Sequence, residues 1–307
     1  MATVLYSDIF LKHNLPSHPE NAERLKSFMK TVSQFPLKVL ESEPVNMKLL
    51  EKIHDKRYIS KVKSASMAGF DYLDPDTYVN EYSFKAAVFA AGACEKGVEL
   101  IKEGEKSVLC AARPPGHHAE FNRAMGFCLF NNIVVAAIKA LKIGFKKIFI
   151  VDFDAHHGNG TQHLIENYPQ IFYFSTHQFP FYPGTGSIKE NNFHIHNIPL
   201  PSGSGDETFI PIYTETLPEI VHSFSPEILL ISAGFDFHTL DPLTGLNVSD
   251  KGTEIVIKSV FKIAKTENIP ILLTLEGGYN LRVLEKAGEI LFGELSSFQE
   301  DMLQQKQ

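Results

Sequence analysis

A single α/β domain over residues 1–307, with a central, mainly parallel sheet flanked by helices on both faces, is the architecture this sequence predicts. Three observations carry the prediction. Short β-branched or aromatic runs recur, each breaking into polar residues. Segments with apolar residues three and four apart lie between most of them. No Pro- or Ser-rich linker, internal repeat or low-complexity block divides the chain. Strand alternating with helix implies parallel strands joined by right-handed crossovers.

Taken in order, TVLYSD near the start reads as a strand, and Glu81 to Lys102 has helical periodicity. SVLC follows as a strand that runs into AARPPGHH, then a helix over Asn132 to Leu141. IFIV opens the stretch Ile148 to Gly160, an unbroken apolar run of the kind a strand buried on both faces shows. It stops abruptly in charge, with two aspartates and two histidines in VDFDAHHG. The strand QIFYFSTHQ, a helix over Asp206 to Phe224, the strand EILLISAGFD, a helix over Asp250 to Glu267 and the strand IPILLTLEGGY complete the series.

Composition narrows the function classes. Hydrophobic content of 44% with 21% charged residues is that of a globular chain and not of a disordered or fibrous one. No apolar stretch spans a bilayer, and MATVLYSDIF lacks the basic and apolar regions of a secretory signal. Cys94, Cys110 and Cys128 are odd in number and widely spaced, against both a disulfide framework and a thiolate metal site, so a reducing cytoplasm is expected. A net charge of −7 disfavours nucleic acid or an anionic membrane as partner.

In open parallel sheets ligands bind beyond the carboxyl ends of the strands. The residues there are Arg113 to His118, Asp152 to His157, Ser175 to His177, Asp236 to His238 and Glu276 to Tyr279. Asp154 and His156, two apart, point the same way in an extended segment, and Asp236 from another strand end could complete an Asp2His set suited to zinc or a similar divalent ion. The Pro-Pro-Gly before His117 and His118 forces an irregular turn. One of these imidazoles could meet Asp152 and become cationic while the other stays neutral as a general base. Tyr279, after two glycines, could donate to a polarised carbonyl oxygen. His194 and His196, beside the Asn191-Asn192 turn, read as part of a polar edge strand.

Together RPPGHHA, GFCLFNN, VDFDAHHGNGTQ, STHQFPFYPGTG, SAGFD and LEGGYN resemble the ordered signature blocks of histone deacetylases and their bacterial relatives. With HPENAER the resemblance runs from about His18 to Asn280. It implies the arginase-deacetylase fold and hydrolysis of acyl-lysine side chains on proteins or peptides. By the same resemblance Asp154, His156 and Asp236 bind one zinc ion, His117 and His118 form a histidine dyad, and Tyr279 supports the oxyanion. Asp152 partners His117, while Asn159 partners His118. Gly126, Phe127 and Tyr182 line the acyl-lysine tunnel, and Asp152, Asp154, His156 and Ser175 form an inner potassium site. Arg24 falls near an internal acetate-release channel.

Two departures refine this. Asn159 stands where class I members carry an acidic partner for the second histidine, so HGNGTQ reads as class II and His118 should be less basic. Gly158 and His238 replace carboxylates that a two-manganese arginase site needs, so one metal is expected. The rival enzyme is an acetylpolyamine amidohydrolase. Leu243, seven residues after Asp236, offers no charge where polyamine-selective relatives carry a glutamate. A non-catalytic acyl-lysine scaffold is disfavoured because every metal and acid-base position is filled.

Overall fold

The computed structural model describes residues 1–304 of the chain. Among the described residues ten strands form: β1 Thr3–Tyr6, β2 Lys38–Glu41, β3 Asp71–Asp74, β4 Thr77–Val79, β5 Ser107–Cys110, β6 Ile148–Asp152, β7 Ile171–Gln178, β8 Ile195–Leu200, β9 Ile228–Ala233 and β10 Ile271–Leu275. Eight make one sheet in the order β2-β1-β5-β10-β9-β6-β7-β8, and all its pairings are parallel. β3 and β4 form a separate antiparallel hairpin.

The apolar runs become strands because both faces of the sheet are covered. Along β6, Phe149 and Val151 enter one core while Ile148 and Ile150 enter the other, as the two-residue side-chain period requires. Leu229 and Ile231 against Ile228 and Leu230 do the same on β9. Residues from the helices Ala22–Phe28, Leu217–Phe224, Asp250–Thr266 and Leu281–Gln304 close the first core. Those of Met47–Ile53, Lys56–Ala68, Ser83–Glu103 and Asn132–Lys142 close the second.

The expected helices form within two residues of their expected ends, except for Asp206 to Phe224. There a π-helical turn, Ile212–Thr216, separates Asp206–Pro211 from Leu217–Phe224. Pro211 cannot donate a helical hydrogen bond, so the ladder resets at that point. β2 escapes sequence reading because three of its four residues are exposed. β8 is an edge strand, as expected. His194 lies just before it and donates to the Ile171 carbonyl at 2.9 Å, while His196 stacks on Phe174.

Candidate active site

The site lies at the carboxyl ends of β5, β10, β9 and β6. β6 ends at the fully buried Asp152, where the chain bends. The Asp154 N–H donates to Asp152 Oδ1 at 3.2 Å, and the His156 N–H turns back to Asp154 Oδ1 at 2.9 Å. The expected extended segment is therefore corrected: local turns in which an Asp side chain accepts from a backbone two residues on bring Asp154 and His156 together. Asp236, past β9, accepts the Ala155 N–H at 2.7 Å. The ligand atoms of Asp154, His156 and Asp236 then all lie within 4.8 Å of one another.

Two buried carboxylates this close need a cation. Burial disfavours a charged imidazole at His156, but the carboxylates of Asp154 and Asp236 outweigh it and raise its pKa to about 10. Backbone geometry has made room for the carboxylates. A Cβ at Gly277 would lie 2.5 Å from Asp154 Oδ2 and 2.6 Å from Asp236 Oδ2. One nitrogen and two oxygen donors fit a zinc-like divalent ion. A side chain at position 158 would be crowded, because a Cβ at Gly158 would stand 2.4 Å from Asp152 Oδ2 and 2.6 Å from the Tyr173 hydroxyl. His238 turns away to Asp250 at 2.8 Å. Another trio, His117, Cys128 and Glu276, is also close, but one Glu276 oxygen already accepts the Gly116 and His117 N–H groups and the other the Ser232 hydroxyl.

The adjacent imidazoles diverge as expected, with ring planes 45° apart. His117 Nδ1 meets Asp152 Oδ2 at 3.1 Å, and Asp152 also accepts from the Tyr173 hydroxyl at 3.0 Å. Burial opposes a charge on His117, but Asp154 and Asp152 outweigh it and raise its pKa to about 10. His118 Nδ1 meets Asn159 Oδ1 at 2.7 Å. Burial, followed by the charges of His117 and His156, holds His118 well below the ordinary histidine range. One ring is cationic and the other neutral, the separation that acid-base chemistry uses.

Above the dyad opens a pocket of about 220 Å3 lined by Asp76, His118, Gly126, Phe127, His156, Phe181, Tyr182, Leu243 and Tyr279. Phe127 has a φ of 68°, uncommon for a bulky residue and held here by Thr77 Oγ1, which accepts its N–H at 3.0 Å. Its ring stands edge-on to Tyr279 at 5.7 Å, and Tyr182 stands edge-on to His118 at 5.3 Å. Burial and the neighbouring aspartates, against the opposing Arg24, raise the Tyr279 phenol well above its ordinary pKa, so it remains a donor. A cleft of about 250 Å3 between Tyr213, Pro218, Lys262 and Glu267 is larger, but it contains none of these residues. Ser175 is buried beside the turn that carries Asp154 and His156, paired in register with Asp152. Its hydroxyl and His177 Nδ1 lie 2.9 Å apart, and neither lines the pocket.

Several supporting residues carried no assigned role in the sequence. Asp241 accepts the Tyr279 N–H at 2.7 Å and the Leu243 N–H at 2.9 Å, fixing both pocket residues. Burial, then Asp236, raises its pKa to about 7. Arg24, expected near an internal channel, braces the Tyr279 turn. Its Nε donates to the Gly278 carbonyl at 2.6 Å, and its guanidinium lies 4.9 Å from the Tyr279 ring centre. Glu20 anchors both Arg24 at 2.9 Å and Arg113 at 2.6 Å. The charged HPENAER block was the only available signal for this buried network. Phe181 and Asp76 were unmarked because only the folded loops bring them to the pocket.

The family model described as the histone deacetylase domain matches residues 18–295. An uncharacterised protein of Synechocystis is 36% identical over 298 residues, covering 94% of this chain and 97% of its own. A probable deacetylase of Archaeoglobus fulgidus is 34% identical over 292 residues, covering 91% and 81%. Histone deacetylase 15 of Arabidopsis thaliana is 36% identical over 296 residues, which are 90% of this chain but 53% of that protein. Among solved structures, the HDA15 HD domain superposes with a TM-score of 0.88 at 32% identity, covering 98% of this chain and 95% of that one. The acetylpolyamine aminohydrolase from Burkholderia pseudomallei gives 0.86 at 23% identity, covering 97% and 99%, a likeness of fold. This eight-stranded parallel-sheet chain, with its Asp2His trio and histidine pair, belongs to the histone deacetylase family.

Proposed function

We propose that this chain is a zinc-dependent amidohydrolase that removes acetyl or other short acyl groups from lysine side chains of proteins or peptides. One observation carries the reading: the Asp154, His156 and Asp236 trio sits beside a dyad of opposite proton affinities at the base of a narrow aromatic pocket. Asp154, His156 and Asp236 would hold the ion, which when bound would supply Lewis acidity toward the amide carbonyl and the attacking water. His118, neutral with its Nδ1 on Asn159, takes the proton from that water and returns it to the departing lysine amine. His117, kept cationic by Asp154 and Asp152, offsets the negative charge that develops. Tyr279 donates its phenol proton in a hydrogen bond to the oxygen that gains this charge. Phe127 and Tyr182 flank the methylene chain and exclude water. The buried Asp152, Asp154 and Ser175, with the half-buried His156, would hold a potassium ion, which would offset the remaining carboxylate charge.

A second reading, hydrolysis of acetylated polyamines, draws on Asp76 at the pocket and on the Burkholderia neighbour. Leu243 in the lining favours acyl-lysine, because it cannot pair with a distal ammonium. The test is a fluorogenic acetyl-lysine assay with and without a chelator, followed by acyl-length series on peptides and polyamines. Chelator-sensitive turnover with kcat/KM highest on peptides is expected. Activity unaffected by chelation, or confined to polyamines, refutes the reading.

A further inference from the structure

Behind the neutral histidine of the dyad, the hydrogen bonds continue outward. Asn159, only 2% exposed, uses both ends of its amide. Its Oδ1 faces His118 Nδ1 at 2.7 Å, and its Nδ2 donates to Glu120 Oε1 at 2.5 Å. The other acceptors near Nδ2, the His118 carbonyl and Met125 Sδ, are at 3.4 Å. Glu120 Oε1 also accepts from His163 Nδ1 at 2.8 Å. The Glu120 side chain is 16% exposed and that of His163 43%, so the chain leads from the buried base to the surface. Asn159 and His163 lie four apart on the helix Asn159–Ile165 and share a face. Glu120 comes two residues after His118.

We propose that Glu120, held by His163, is a positioning residue that sets the orientation of the Asn159 amide and thereby the tautomer of His118. An amide has a donor end and an acceptor end, and a carboxylate is an acceptor only. With Glu120 taking the Nδ2 protons, Oδ1 must face His118. The ring proton is then fixed on Nδ1, and Nε2 is left with a free lone pair toward the pocket. A flipped amide would donate to Nδ1 and drive the proton onto Nε2, where it blocks proton abstraction. The amide partner of this dyad thus draws its direction from a carboxylate one residue further out. The assignment rests on the reading of His118 as general base.

The test uses the full chain labelled with 15N-histidine, with the His118 resonances assigned by comparison with His118→Gln. Two variants are read, Glu120→Ala, which removes the acceptor, and Glu120→Gln, whose side-chain oxygen can still accept while its charge is gone. In the parent chain and in Glu120→Gln, His118 should carry its proton on Nδ1. In Glu120→Ala the Nε2-protonated form should appear. On acetyl-lysine peptide, kcat of Glu120→Ala should fall by about tenfold or more with KM within about twofold, a part of the 10²–10⁴ that one positioned base supplies. Glu120→Gln should stay within about threefold of the parent, as expected if the geometry is kept. A His118 tautomer unchanged in Glu120→Ala overturns the proposal. So does Glu120→Gln behaving like Glu120→Ala, which would make charge the decisive property. The tautomer is read without substrate, so a chain that hydrolyses no acyl-lysine would refute the proposed function and leave this result standing.

Discussion

Gly277→Ala isolates the fit of the metal trio in one methyl group. Gly277 follows β10 without a positive φ, so alanine can adopt its backbone and the perturbation is steric. The new Cβ would stand 2.5 Å from Asp154 Oδ2 and 2.6 Å from Asp236 Oδ2. An ordinary carbon–oxygen contact is about 3.3 Å, so the oxygens must retreat by roughly 0.7–0.8 Å, several times the ~0.2 Å tolerance of a metal–ligand distance. Neither carboxylate is free to move, since Gly277 N donates to Asp154 at 2.7 Å and Ala155 N to Asp236 at 2.7 Å. A loss of about 10–100-fold in zinc affinity is expected, the range for disturbing a ligand's surroundings, equivalent to about 1.4–2.8 kcal/mol. Competition with a chromogenic chelator and metal analysis after dialysis measure it. Gly293→Ala is the control: its Cβ meets only Phe35 Cε1 at 3.5 Å, inside the helix Leu281–Gln304, so affinity should be unchanged. Parent-like zinc affinity in a folded Gly277→Ala chain would show that these oxygens are not where the metal binds.

Tyr279→Phe should lower kcat by about 10²–10³ with little change in KM, the usual effect of losing one oxyanion donor; steady-state kinetics on an acetyl-lysine peptide decide it, and unchanged turnover removes Tyr279 from the chemistry. Asp154→Asn should strip the metal, whereas Asp152→Asn should keep most of it and slow single-turnover hydrolysis, because only Asp154 belongs to the trio and Asp152 braces His117. Equal metal loss in the two variants would contradict that division. Glu20→Gln should destabilise the chain by about 3–5 kcal/mol in urea unfolding, since it leaves Arg24 and Arg113 buried without their shared anion. Burial raises the folded pKa of Glu20, but Arg113, His13 and Arg24 outweigh it and depress the value below the usual 4.5. Its contribution is therefore complete above that value and lost as pH falls through the lower folded one. The gap between parent and variant should stay constant from about pH 8 to 5 and close only below about pH 4; a gap that closes near neutrality would refute the assignment.

What the sequence determined by itself was whatever short-range patterning encodes. Unbroken runs such as IFIV and ILLTL could only be strands covered on both faces, and each charge cluster marked the place where a strand leaves the core. Asp154, His156, Asp236, the two histidines and Tyr279 were legible because each stands at or just beyond such a place. The order of the strands was not legible. β10 and β9, late in the chain, insert between β5 and β6, and so carry Asp236 and Tyr279 into the space between the dyad and VDFDAHHG. The two-residue period paired Asp154 with His156, but it could not supply the turn that brings them together. A backbone hydrogen bond to Asp154 aims His156 inward, while His157 turns to Thr185 and Gln162 at 2.7 and 2.9 Å. The bracing roles of the carboxylates Asp241 and Glu276 were silent for the same reason. Each is completed by a partner far along the chain, as with Glu276 and the Gly116 N–H 160 positions apart, or Asp241 and the Tyr279 N–H at 38. A buried charge takes its role from what surrounds it, and only the closed sheet with its packed loops supplies those surroundings.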